Sequence, residues 1–396
     1  MKIKDNLKFL TNQFSGLNIE ENKNFRESFD YNSTPNLKYK ETIVKDFKHD
    51  YWIFDNYDIY YSEIGKNKSK FELFIVYGCQ ANENINNIKI VRIHDKKLVK
   101  ELKGHEHIVD IVKHFYNSNN KKRYLLSADY ERVVIVWDLN LYTSIFTIST
   151  FYSQYIYSFL IIFEKDYIIT SSEGDSSNDY LNIYSLNNGG LLLNIESSNK
   201  NKTYYLLLWK YNGIYYLIEL CYKKIIIYDL LYKKVYKQFE SNEDALYYYS
   251  GFVSQDNKYL YASTNKGNIN IWNLESFNLI YDFRIKSSYL FKIILWSTDI
   301  IDTITNKKYN NYILVCDKRR GGFLCINITF DREINNIKEE DFNFEHKINS
   351  FYSKGTTIKC IKKIIHPIYG QCLISSGEDQ NIDLWVNNNT LNFEFY

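Results

Sequence analysis

Proline and glycine are scarce in this 396-residue chain, at 2 and 15. Its turns must therefore be built from other residues. The 45 asparagines are the candidates, because Asn and Asp tolerate the left-handed backbone that glycine usually supplies. An excess of one charge is missing as well: 49 Lys and Arg face 47 Asp and Glu, for a formal net charge of +2. That balance argues against a general nucleic-acid binder, which would carry a basic excess. The N-terminus, Met1-Lys2-Ile3-Lys4-Asp5-Asn6, lacks the apolar core of a signal peptide. The longest largely apolar stretch, Tyr155 to Phe163, covers about half of a membrane span. Six cysteines (Cys79, Cys221, Cys316, Cys325, Cys360 and Cys372) form no Cys-x-x-Cys pair, as expected of reduced, mostly buried thiols. The expected location is cytoplasmic or nuclear, with no transmembrane segment.

What the chain does hold is apolar and aromatic: 45% and 17% of its residues, enough for one large domain or two ordinary ones. The apolar runs span roughly four to eight residues, rich in Ile, Tyr, Val and Leu and separated by Asn, Asp, Lys, Gly and Ser. That is the signature of strands. No convincing helical stretch occurs between Lys40 and Tyr396. Strands at such regular spacing call for a search for a repeat.

One segment sets the frame. Leu102-Lys103-Gly104-His105 precedes an apolar run and then Leu125-Leu126-Ser127-Ala128-Asp129-Tyr130-Glu131-Arg132-Val133-Val134-Ile135-Val136-Trp137-Asp138. His105 lies 32 residues before Trp137, Ser127 ten before it and Glu131 six before it. Near the C-terminus, Ser375 and Asp379 stand at the same two offsets from Trp385. A third copy ends at Trp272, and weaker ones place Tyr184, Tyr228, His94 and Ile326 at the aromatic position. Spacings between the seven positions are 43, 47, 44, 44, 54 and 59 residues, the last two enlarged by loops around 299–309 and 331–344.

This pattern resembles the WD-repeat family. The resemblance covers residues 41–396 and implies an all-β fold: a seven-bladed β-propeller of four-stranded antiparallel blades. Thr42-Ile43-Val44-Lys45 parallels Leu98-Val99-Lys100-Glu101 and is a candidate outer strand for blade seven, in competition with Leu391–Tyr396. Residues 1–40 fall outside the repeat and are expected to be partly disordered or helical.

In that family the His, the Ser or Thr, the turn acid and the Trp form a hydrogen-bonded chain inside a blade. Carried over, this implies His105, Ser127, Glu131 and Trp137 in blade two. Blade seven would have Ser375, Asp379 and Trp385, with Ser353 where the His belongs. Blade five keeps Trp272, with Ala262 and Lys266 at the other places. Such residues stabilise; they are not a catalytic triad.

Other constellations have plainer readings. His105, His107 and His114 stand near Glu106 but at no zinc spacing, and no metal site is expected. No nucleophile-elbow, Walker-type or dinucleotide motif occurs, so neither a cofactor nor an enzymatic activity is expected. Gly189-Gly190 reads as a hairpin turn. Lys318-Arg319-Arg320-Gly321-Gly322 is similar to the Arg-Arg-Gly motif with which some propellers bind phosphoinositides. Here it falls inside blade six, between apolar strands, where a solvated basic turn is expected. The Arg found two residues after Trp-Asp in ubiquitin-ligase adaptors is absent, since Asn140 stands there. Tyrosine runs such as Tyr247-Tyr248-Tyr249 are read as strand packing, although Tyr suits interfaces. Tyr130, Asn265 and Glu378, with neighbouring Arg132, are the candidate partner-binding positions. The expected function is an intracellular, non-enzymatic scaffold or adaptor with protein or peptide partners. The alternative is a phosphoinositide-binding propeller on endomembranes using Arg319 and Arg320.

Overall fold

The structure is a computed structural model that describes residues 37–45, 54–62, 69–81, 85–149, 153–174, 180–196, 203–241, 243, 246–254, 256–285, 288–296, 312–318, 322–327, 348–352, 357–366 and 368–387. Among them, twenty-eight strands form seven four-stranded antiparallel sheets. The chain is a seven-bladed β-propeller. The innermost strands of blades one to seven are Phe54–Ser62, Val109–Asn117, Ser153–Ile162, Thr203–Tyr211, Tyr248–Val253, Leu290–Leu295 and Ile358–His366. They touch side by side around the whole ring and line its central channel. No helix among the described residues is long and apolar enough to cross a membrane.

Burial follows strand position. Second strands such as Lys122–Asp129, Ile214–Cys221 and Gly370–Gly377 are covered on both faces almost throughout. Each therefore carries its apolar residues in short blocks, such as Tyr124-Leu125-Leu126 and Cys372-Leu373-Ile374, in place of a strict alternation. Outermost strands are mostly solvent-facing; Lys234–Glu240 buries Phe239 alone. The core is divided into seven clusters, each shared by two neighbouring blades. Trp137 of blade two packs with Phe74, Val76, Ile88 and Ile90 of blade one. Ile374 and Leu384 of blade seven meet Ile75 and Val91 of blade one, which closes the ring. Each fully buried side chain of this size contributes roughly 1.5–3 kcal/mol, so a blade without its neighbours would lose most of its stabilising burial.

The N-terminal candidate supplies the closing strand. Leu37–Val44 pairs antiparallel with Ile382–Asn387, Tyr39 opposite Trp385 and Thr42 opposite Asp383. The Thr42 hydroxyl donates to Asp383 Oδ1 at 2.7 Å, and the Tyr39 ring meets Trp385 edge-on. First and last segments thus share one sheet, which closes the ring of blades. The strand starts at Leu37, so residues 37–40, expected in the N-terminal extension, belong to blade seven. The expectations for residues 1–36 and for Leu391–Tyr396 lie outside the described residues.

Asn and Asp do build the turns, but chiefly by another route than the expected one. Of the eleven non-glycine residues with positive φ among the described residues, only Asp166, Asn212 and Asn257 are Asn or Asp. Lysines (Lys96, Lys121, Lys223 and Lys233) outnumber them. The side-chain oxygens instead cap the following backbone amides. Asp138 accepts from Asn140 and Leu141, Asp229 from Leu231 and Tyr232, and Asn273 from Glu275 and Ser276.

One repeat position needs correction. The amide of Leu139, just past Trp137-Asp138, donates to Arg123 O, and the equivalent bond in blade one runs from Ile93 to Leu73 O. Val91 therefore stands where Trp137 stands. His94 lies in the exposed turn beyond Arg92, because the third strand of that blade ends three residues earlier than the repeat count placed it.

Candidate functional site

Blade two contains a continuous hydrogen-bonded chain. Trp137 Nε1 donates to Ser127 Oγ at 2.8 Å, and Ser127 lies 2.6 Å from His105 Nε2. His105 Nδ1 is 2.8 Å from Asp129 Oδ2, and Asp129 Oδ1 accepts the Val133 amide. A neutral imidazole with its proton on Nδ1 satisfies every member: Trp donates to Ser, Ser to His, and His to Asp. The acid is Asp129 and not Glu131, whose side chain is exposed at the turn. The reason is strand geometry. Residues two apart share a face, so Asp129 stands on the same side as Ser127, whereas Glu131 has already entered the hairpin.

Blade seven keeps half of the arrangement: Trp385 Nε1 donates to Ser375 Oγ at 2.8 Å. The place of Asp129 is held by Gly377, where an added Cβ would stand 2.2 Å from Thr357 O. No side chain fits there. Asp379 instead accepts from Asn381 within its own turn. Ser353 lies outside the described residues. Ala262 leaves Trp272 Nε1 of blade five buried and without a partner among the described residues.

Two further versions of the chain were not apparent from the repeat. In blade four, Glu219 replaces the serine and accepts from Thr203 Oγ1 and from Tyr228 OH, the latter at 2.9 Å. Burial raises the Glu219 carboxyl above its ordinary range against these two bonds. An acid in the otherwise apolar run Ile214–Cys221 was the available signal, since a buried carboxyl must find partners. In blade six, Asp317 takes the place of Asp129 and accepts from Ser288 Oγ at 2.8 Å and from the Tyr289 amide.

The expected partner-binding residues occupy equivalent hairpins at one end of the channel. The amides of Tyr130, Asn265 and Glu378 donate to Ile108, Tyr247 and Thr357 carbonyls, tying each hairpin to the start of its innermost strand. Tyr130 is 49% exposed. Asn265 is buried, and its side chain accepts the Tyr247 amide at 2.8 Å; it positions Tyr247 and offers little surface of its own. Glu378 is exposed and pairs with Lys359 at 3.4 Å. Arg132 is half-buried at φ 74°, in the left-handed turn position that Gly267 fills in blade five. Lys318 is the corresponding hairpin residue of blade six, its amide bonded to Tyr289 O. Arg319 and Arg320 lie outside the described residues. The strands that flank them, Tyr312–Asp317 and Gly322–Asn327, pair as a hairpin within blade six.

At this same end, blades four to six bring together half-buried tyrosines. Tyr204 stands edge-on to Tyr247 and Tyr249, at centroid distances of 5.5 and 4.9 Å. Tyr222 packs on Tyr247, and the hydroxyls of Tyr249 and Tyr289 are 2.5 Å apart. The Lys318 ammonium lies over the Tyr289 ring. Tyr247 and Tyr249 belong to a run that reads as strand packing, yet they and Tyr204 and Tyr289 sit at or just before the start of innermost strands, Tyr222 lies just past the end of a second strand, and all five are half-buried.

Deeper in the channel lies a basic cluster. Lys113, Lys292 and Lys362 come from the innermost strands of blades two, six and seven, and Tyr205 from blade four. Lys292 Nζ hydrogen-bonds the Tyr205 hydroxyl and stands 4.0 Å from its ring centroid; Lys113 Nζ stands 5.9 Å from that centroid. Lys362 pairs with Asp55 at 3.1 Å, and Asp55 also accepts the His114 amide. Burial, helped by the two neighbouring ammoniums, lowers Lys113 to about 8. Burial alone would raise Tyr205, but the three amines outweigh it and bring the phenol to about 7. His114, buried beside them, is held neutral and lowered to about 3.

Cys221, Cys316, Cys325, Cys360 and Cys372 are buried, and burial pushes the Cys325 thiol up to about 12. No group of His, Cys, Asp and Glu among the described residues is arranged to hold a metal ion. No family model matches the chain, and no curated protein matches it.

Proposed function

We propose that this chain is a divergent WD-repeat protein and a non-enzymatic scaffold or adaptor subunit, working in the cytoplasm or nucleus on protein or peptide partners. The Trp137–Ser127–His105–Asp129 chain supports the family reading, since that order of residues is what the resemblance implies. The tyrosine face of blades four to six carries the functional reading. Tyrosine offers a large, stiff, amphipathic contact at low entropic cost, which suits a binding surface. Here five of them (Tyr204, Tyr222, Tyr247, Tyr249 and Tyr289) are held by a rigid ring with part of each ring open.

The test is purification of the tagged full chain from its native cells, beside a Tyr247→Ala, Tyr289→Ala double variant with an unchanged melting profile. The scaffold reading expects a stoichiometric set of proteins with the wild type that the variant loses. A chain that comes out bare, or a variant that keeps the whole set, would contradict it.

A further inference from the structure

We propose that the central channel binds a phosphate-bearing small molecule, held by the ammonium groups of Lys113, Lys292 and Lys362 together with the Tyr205 hydroxyl. The site stands apart from the partner face and does not depend on it.

Four observations carry the proposal. The contributors come from blades two, four, six and seven, so only ring closure brings them together; Lys292 and Tyr205 meet across an intervening blade. Charge is the second. Three ammonium groups converge, and the carboxylate paired with them is Asp55, bonded to Lys362 and to the His114 amide. Two positive charges are left over, which matches a phosphate monoester, carrying about −1.5 to −2 at neutral pH. Access is the third: Lys113, Lys292 and Lys362 are half-buried, so solvent in the channel reaches them. Chemistry is the fourth. Lysine binds phosphate as a compact point charge with rotatable donors, and the phenol adds a directional donor.

Holding like charges this close without a counter-ion is costly in a poorly solvated channel. The lowered Lys113 and Tyr205 reflect that cost: burial and the neighbouring ammoniums disfavour a further positive charge there and favour an anion. A bound phosphate would supply that anion. A bilayer headgroup carries the same chemistry, but the cluster lies among innermost strands of four blades, so the source favoured here is a freely diffusing molecule.

Calorimetry and thermal melting of the full chain with inorganic phosphate and inorganic pyrophosphate test the proposal, with chloride at matched ionic strength as control. Saturable binding is expected, with pyrophosphate the tighter of the two. Lys292→Gln and Lys113→Gln should each weaken it by about tenfold or more, the loss of one charged hydrogen bond. Lys292→Arg should retain most of it. No binding by the wild type beyond the chloride effect overturns the proposal, whether or not any variant folds. So does undiminished affinity in folded Lys113→Gln and Lys292→Gln proteins. Sedimentation with phosphatidylinositol-phosphate vesicles, without any response to free phosphate or pyrophosphate, would overturn the choice of a small molecule.

Discussion

Replacing Ser127 by Ala removes the atom on which two buried groups depend. Ser127 accepts from Trp137 Nε1 and is bonded to His105 Nε2, and all three residues are buried. The substitution deletes two hydrogen bonds and leaves an indole N–H and an imidazole nitrogen without partners. At about 1–3 kcal/mol for each buried group left unsatisfied, the expected loss is about 3 kcal/mol. Blade five supplies the mirror experiment. There Ala262 already stands at the serine position, and Trp272 Nε1 is unsatisfied among the described residues. Ala262→Ser should therefore stabilise by about 1 kcal/mol, the net worth of one regained bond. Denaturant midpoints followed by tryptophan fluorescence measure both at constant slope. Opposite signs are required. If Ser127→Ala falls within about 0.5 kcal/mol of wild type, or Ala262→Ser destabilises as much as Ser127→Ala, the hydrogen-bonded chain does not support the blades as described.

Three other outcomes follow from the same geometry. Asp129→Asn should cost on the order of 2 kcal/mol in the denaturant midpoint, whereas Glu131→Gln on the exposed turn should change it by less than about 0.5 kcal/mol. Glu219, raised by burial, contributes stability that is fully present below its unfolded pKa and is lost as pH rises through its folded one. Glu219→Gln should thus flatten the decline of Tm toward neutral pH. His366 accepts the Ile368 and Tyr369 amides at Nδ1 and is lowered to about 4, first by burial. Its contribution is present above about 6.5 and lost as pH falls toward 4, up to about 3 kcal/mol, so His366→Asn should reduce the acid-side slope in pH-dependent unfolding.

The ring and its blade count were legible because Trp137, Trp272 and Trp385 recur with their strands, and because Thr42–Lys45 repeats the outer-strand pattern of Leu98–Glu101. Blade one was misplaced by three residues for a physical reason. Its second strand carries no serine opposite and its third no aromatic, so only the backbone bond from Ile93 to Leu73 marks the register. The acid of blade two was misassigned because Glu131 and Asp379 share an offset from their tryptophans. The period-two rule, applied from Ser127, points to Asp129 instead. Glu219 could have been found from its apolar surroundings. The channel cluster could not. Lys113, Lys292 and Lys362 stand in separate strands up to 249 residues apart, and only closure of the ring brings them together.

The central claim, that the tyrosine face of blades four to six is where partners bind, is tested most directly by placing a photocrosslinking amino acid at Tyr247 and, separately, at Leu192 on an outermost strand. Leu192 is 53% exposed and away from the channel, so it serves as a control for accessibility alone. The account predicts a discrete protein adduct from position 247 in native cells and none from position 192. An adduct from 192 with none from 247, in chains that remain folded, would contradict it.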